Sequence, residues 1–273
     1  MKISPTNFAK SGNCPKKLSS YFRSLDSNIR KNTSLASRDD VASRIGKIVH
    51  DLVQEVICSG GKKERDKKKD EIMLVLENMK NDMNLDNNSL SEIIGHNPFE
   101  NLLHDQGIVR LYEECGPLME ATMKLLSNLE DKFGDMTAIK EFEIKPKGTS
   151  SINIAGKEVF LGGFVDLVLL FKKEKKRYAI LLELKTGDYS IKKDLEWERQ
   201  ICIYQYAWKK IYPNHKILSF VVNSTISNGY KKYDYNNFYS GLEKLMKAKI
   251  NDVLPGENCL YCNFKNSCNK SKY

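Results

Sequence analysis

Two apolar runs, Phe164 to Phe171 (FVDLVLLF) and Leu181 to Gly187 (LLELKTG), each carry an acid near the centre. This constrains the chain more than any other feature. Both runs are apolar enough to be central strands of a sheet covered on both faces. An unpaired ionised carboxylate in such surroundings costs several kcal/mol, so chains avoid placing one there. The polar piece Lys172 to Lys176 between the runs reads as a hairpin turn. With the turn centred on Glu174 and Lys175, residues whose numbers sum to 349 face each other, and Asp166 and Glu183 meet that condition. Their Cβ atoms are then expected roughly 4.5–5.5 Å apart on one face. A register slip of one residue would separate them. Lys185, two residues past Glu183, projects from that same face.

Carboxylates at that spacing repel, and either a shared proton or a cation must relieve them. Asp166, Glu183 and Lys185 together make a hard-cation site with oxygen ligands for Mg²⁺ or Mn²⁺. The lysine is placed to orient or activate a water, or to stabilise a phosphorane-like transition state. The competing reading is a buried Glu183–Lys185 salt bridge, with Asp166 at a sheet edge.

The rest of the chain supplies the setting. Its 273 residues carry 44 Lys+Arg against 35 Asp+Glu, a net charge of +9, which fits a polyanionic partner or simple solubility. With 41% hydrophobic residues the chain has enough for a core, which excludes disordered and collagen-like classes. No run approaches the ~18–20 apolar residues of a membrane span, so no membrane partner is expected. The start, MKISPTNFAKSG, has no apolar leader region, and the reading is a cytoplasmic protein with reduced thiols. Cys58, Cys115 and Cys202 lie in helix-like stretches and read as small buried hydrophobes.

Apolar positions Val41, Ile45, Ile48, Val49, Leu52, Val53 and Val56 recur at three and four, predicting a helix from about Arg38 to Ile57 with Ser37 as its N-cap. His50 flanks this stripe. A short helix is expected around Lys16 to Ser24. Gly60 to Glu71 reads as a solvated charged linker. Helices follow at about 69–81, 89–94 and 106–133. From Met136 strands are expected over 138–146, 151–154, 159–171 and 178–185, then a helix over 193–211. Further strands at 217–223 and 231–235 precede a helix over 236–250. The fold class is mixed α/β.

Four short motifs lie in order along these elements. Gly163-Phe164-Val165-Asp166 matches G-x-x-D, and Glu183-Leu184-Lys185 matches E-x-K. Gln200 to Tyr204 matches Q-x-x-x-Y on a helix, and Gly46 to His50 matches G-x-x-x-H on an earlier helix. Together they resemble the RecB-like branch of the PD-(D/E)xK nuclease superfamily. The resemblance implies a restriction-endonuclease-like core and phosphodiester hydrolysis of DNA. It implies that His50, Asp166, Glu183 and the Leu184 carbonyl hold a divalent metal, and that Lys185 positions the attacking water. Gln200 and Tyr204 would contact the substrate strand or brace the site. Trp197, Tyr204 and Trp208 are candidates for stacking on bases. His96, His104 and His215 belong to no constellation.

Cys259, Cys262 and Cys268 form C-x2-C-x5-C in a stretch of little apolar content, and Cys14 is the natural fourth thiolate. Thiolate softness fits zinc or an iron–sulfur cluster alike. The arrangement resembles RecB-like iron–sulfur nucleases, the CRISPR-associated exonucleases among them, which implies a [4Fe–4S] cluster. The organisation then reads as 1–58, carrying Cys14 and the His50 helix, a helical insertion 59–135, a nuclease core 136–252, and a cluster-binding loop 253–273. The expected activity is an exonuclease on single-stranded DNA or DNA ends, in CRISPR spacer acquisition beside integrase proteins. Recombination or repair is the alternative setting, as is a non-catalytic DNA-binding scaffold. No G-x-x-x-x-G-K-[ST] motif occurs, so any helicase partner is a separate chain.

Overall fold

A computed structural model describes residues 2–11, 14, 41–81, 105–144, 151–154, 157–161 and 163–234. Five helices and eight strands are assigned among them. In chain order they are β1 (Lys2–Ile3), α1 (Pro5–Ser11), α2 (Val41–Cys58), α3 (Lys62–Asn81), α4 (Asp105–Phe133), β2 (Met136–Ile144), β3 (Ser151–Ile154) and β4 (Lys157–Leu161). Then come β5 (Gly163–Lys173), β6 (Lys176–Leu184), α5 (Ile191–Ile211), β7 (His215–Val222) and β8 (Tyr230–Lys232).

The main sheet has the order β2-β5-β6-β7-β8. All its pairings are antiparallel except β6 with β7, which α5 connects as a crossover. The β5–β6 register is the expected one: Leu167 faces Leu182 and Val168 faces Leu181. The turn falls on Glu174 and Lys175, with Glu174 left-handed at φ 56°. The N-cap of α5 is Ser190, whose side chain accepts from the Lys193 N–H.

Both faces of the sheet are covered, which is why the covered stretches of its central strands are apolar apart from Asp166 and Glu183. On one face Ile48, Val49, Leu52 and Val56 of α2 pack with α3 and α4 against Leu167, Leu169, Ile180, Leu182 and Leu184. On the other, Ile201, Tyr204 and Trp208 of α5 pack with Phe8 of α1 against Val165, Val168, Ala179 and Leu181.

Three expectations are corrected. The stretch 159–171 is not one strand: β4 joins a separate three-stranded sheet, β1-β4-β3, and β5 starts afresh at Gly163. A Cβ on Gly163 would meet Pro5 Cδ at 2.7 Å, so this glycine allows α1 to approach the strand start. The charged stretch from Gly60 is no linker but the first half of α3. Lys and Glu are good helix formers, and buried Arg65 is clamped to both Glu130 oxygens and the Gly60 carbonyl. Cys58 is exposed, whereas Cys115 and Cys202 are buried. The helices expected over 16–24, 89–94 and 236–250 lie outside the described residues.

Candidate active site

The acids sit where the sheet alternation breaks. Along β5, Val165 and Val168 point into one core but Leu167 and Leu169 into the other. Along β2, Met136 and Ala138 face the α2 side while Ile139 and Phe142 face the α5 side, so the phase changes there too. Both changes fall at one rung, Glu141 opposite Asp166, which is missing from the ladder between Lys140↔Leu167 and Phe142↔Val165. Glu141 takes φ 48° there, a left-handed backbone that a glutamate rarely adopts. Such breaks re-aim a side chain. Simple face-sharing of Asp166 with Glu183 is therefore replaced by a local rearrangement.

Asp166 Oδ2 accepts the Leu184 N–H at 2.7 Å and lies 3.6 Å from His50 Nδ1. The backbone N–H of Leu184 is thus the group that meets Asp166. Glu183 Oε1 accepts from Lys185 Nζ at 2.6 Å and from Gln200 Nε2 at 2.6 Å. Lys185 Nζ also reaches Gln200 Oε1 at 3.1 Å, and Gln200 Nε2 meets the Tyr204 hydroxyl at 3.1 Å. The expected Glu183–Lys185 ion pair is present, with Asp166 in a central strand rather than at an edge.

Burial raises Asp166 from its ordinary value to about 6, against the pull of Lys185 and the Leu184 N–H. Burial first, and then the charge of Asp166, raises Glu183 to about 7. Burial and the nearby Lys185 charge lower His50 to about 4, so its imidazole is neutral at pH 7. Two acids reluctant to ionise beside a neutral imidazole are a donor set suited to a cation.

The other oxygen of Glu183, Oε2, is buried and has no hydrogen-bond partner. A bare carboxylate oxygen in that position is costly unless a cation meets it. The residues therefore fit a hard divalent ion. Among the described residues, no three His, Cys, Asp or Glu side chains already stand together as a closed ligand set. In the geometry seen, Lys185 supplies the positive charge beside Glu183.

A cavity of about 340 Å³ opens over this rung, lined by Gly46, Lys47, His50, Glu141, Asp166 and Lys185 among others. Gly46 is explained by contact: a Cβ there would lie 2.8 Å from Thr186 Oγ1. The glycine lets α2 press against the loop that follows Lys185, which brings His50 to Asp166.

Two supporting residues escaped the sequence reading. Gln54, buried one helical turn after His50, donates to the Asp166 carbonyl at 3.0 Å. Asn223, fully buried, donates to the carbonyls of Lys185 at 3.0 Å and Gly187 at 2.8 Å. The Lys185 N–H in turn donates to the Val222 carbonyl. The signals were faint: a polar residue at i+4 from His50, and an asparagine ending the run HKILSFVV. Conversely, Trp197, Tyr204 and Trp208 are buried in the α5-side core, which removes them as stacking surfaces. His215 accepts from Trp208 Nε1 and stacks on Tyr212.

A profile of the PD-(D/E)XK nuclease superfamily matches residues 2–269. The chain belongs to this superfamily. Its mixed five-stranded sheet with flanking helices is consistent with the superfamily core. A solved structure described as a crystal structure of SSO0001 is 19% identical, with 61% of this chain and 75% of that chain covered and a TM-score of 0.30, too weak a likeness to add to the fold. No curated protein matches. No described helix is long and apolar enough to cross a membrane. Of the four cysteines expected to hold a cluster, Cys14 is half-buried and in no disulfide among the described residues, while Cys259, Cys262 and Cys268 lie outside them.

Proposed function

We propose that this chain is a divalent-metal-dependent deoxyribonuclease that hydrolyses phosphodiesters at the Asp166–Glu183–Lys185 site, acting as an exonuclease on single-stranded DNA or DNA ends. The observation that carries the reading is the unpartnered buried Oε2 of Glu183 beside a second, half-buried acid, Asp166. A structural salt bridge would leave neither. Superfamily membership supports the reaction class.

Asp166 and Glu183, with His50, would hold Mg²⁺ or Mn²⁺, the Leu184 carbonyl completing the set as the family resemblance implies. The ion would supply a charge for the developing oxyanion and a lowered water pKa. Lys185, held by Glu183 and Gln200, keeps its ammonium at the edge of the cavity, where it orients the attacking water. Gln200 and Tyr204 brace this arrangement from behind. The uncommitted lysines provide salt-dependent affinity for the DNA backbone.

The sequence pattern of Cys14, Cys259, Cys262 and Cys268 supports a [4Fe–4S] cluster; CRISPR spacer acquisition is the proposed setting, with recombination or repair as the alternative. The test is cleavage of 5′- and 3′-labelled single-stranded DNA with Mn²⁺. Wild-type protein should cut, and Asp166→Ala should not; equal cutting by the variant refutes the reading. Anaerobically purified protein should be brown and Cys262→Ser should lose iron, whereas colourless protein with stoichiometric zinc refutes the cluster.

A further inference from the structure

The far end of the β5–β6 hairpin carries an arrangement that folding does not call for. Residues 172–177 read KKEKKR, five cations and one acid, and all six are exposed. Pairing places Lys172 across from Arg177 and Lys173 across from Lys176. Like charges directly opposite on a ladder destabilise it, and a Lys–Glu pair at either rung would do the reverse. Among the described residues Lys173 hydrogen-bonds the Lys132 carbonyl, and none of the five cations is paired with an acid.

The tip also reaches past the neighbouring strands. β2 begins opposite Phe171, so both rungs lie beyond it, while β7 reaches the inner rung through His215 opposite Arg177 and only the outer rung, Lys173 with Lys176, projects beyond both. Lys216 of β7 adds a sixth exposed cation at this end. A local rule broken at two successive rungs, with only the Lys173 bond to the last turn of α4 to set against it, marks a surface shaped for something else.

We propose that this basic hairpin tip is a second DNA-contacting surface that grips the phosphate backbone of a segment away from the scissile phosphate. The proposal rests on the nuclease reading given above for the choice of partner. Lys173 lies seven residues along β5 from Asp166, so the tip sits ~24 Å from the acids at ~3.4 Å per residue. A strand engaged at both places must be long enough to pass round the end of the sheet, and phosphates at the tip would replace the lysine–lysine repulsion with attraction.

The test is the double variant Lys172→Glu with Lys176→Glu, which turns both like-charge rungs into opposite-charge rungs. Its Tm should equal or exceed that of wild type, because the hairpin repulsion is gone. Binding is read on a duplex of about 30 base pairs, ~100 Å long at 3.4 Å per pair, without divalent metal. Affinity should fall about tenfold or more near ~100 mM salt, and the slope of log K on log salt should flatten by roughly 2, at ~0.9 for each lost phosphate contact. Cleavage of an oligonucleotide too short to reach from the acids to the tip should be unchanged.

Unchanged affinity and slope on the duplex would overturn the proposal, as would wild-type protein that binds an acidic polypeptide but not the duplex. So would an affinity loss that merely tracks a lowered Tm. Because binding is measured without metal, failure of the wild type to cleave would refute the nuclease reading and leave the binding result to decide this surface.

Discussion

Removing the charge of Asp166 should make the metal-free protein more stable while abolishing its activity. Asn in that place keeps an oxygen to accept the Leu184 N–H, so the hydrogen bond survives and only the buried charge is lost. In the wild type, burial moves the carboxyl from 3.8 to about 6. At 1.36 kcal/mol per pKa unit that rise corresponds to at most ~3 kcal/mol of destabilisation at pH 8. The side chain keeps 19% of its surface exposed and leans on other charged groups, which argues for about half of that, ~1.5 kcal/mol.

The sign follows from proton binding. Between about pH 4 and 6 the folded protein holds the Asp166 proton more tightly than the unfolded chain does, so this penalty grows as pH rises through that window and is constant above it. For 273 residues, an unfolding entropy of ~2.1 cal/mol/K per residue converts ~1.5 kcal/mol into a Tm gain of about 3 °C. Scanning calorimetry of wild type and Asp166→Asn in chelator should show that gain at pH 8 and less than half of it at pH 4. Adding Mg²⁺ should raise the wild-type Tm and leave the variant unmoved. A variant that is less stable than wild type at pH 8 would refute the idea that the fold holds this acid at a cost.

Three further outcomes are expected. Lys185→Met should destabilise the protein by roughly 1–1.5 kcal/mol at pH 8, because without the ammonium Glu183 takes up a proton, and that costs ~1.36 kcal/mol for each pH unit above its wild-type value of about 7. That defect should shrink in denaturant titrations below pH 7, because Glu183, with its pKa about 7, is then protonated. Gly46→Ala should reduce cleavage far more than it lowers Tm, since the new methyl would push the Thr186 loop away from His50; wild-type turnover in this variant would show that the close contact is dispensable. Asn223→Ala should cost about 1–3 kcal/mol by chemical denaturation, as two carbonyls lose a buried donor. It should also lower kcat with little change in KM, because Asn223 holds the backbone of Lys185 and not the DNA.

How far the site could be read in advance differed from residue to residue. Asp166, Glu183 and Lys185 stood out because acids in apolar strands violate a strong energetic rule, and His50, Gln200 and Tyr204 because they repeat at one helical turn from a motif partner. Glu141, Gln54 and Asn223 gave no comparable sign. Polar residues at strand and helix ends are common, and their roles depend on what lies across space. Lysine-rich 60–71 misled for the opposite reason: charge alone reads as solvent-exposed loop, whereas Arg65 finds Glu130 on a helix distant in sequence.

The amino-acid sequence by itself determined the hairpin register, since a two-residue turn between equal apolar runs leaves one pairing that buries both strands. It also determined the buried stripe of α2, because a period of three and four admits one face. Only the tertiary structure decided the change of alternation at Glu141 and Asp166, which turns that acid toward His50, and the clamp of Asn223 on the loop after Lys185. Periodicity is a property of one segment, but a break in it is held in place by the strands and helices packed on either side.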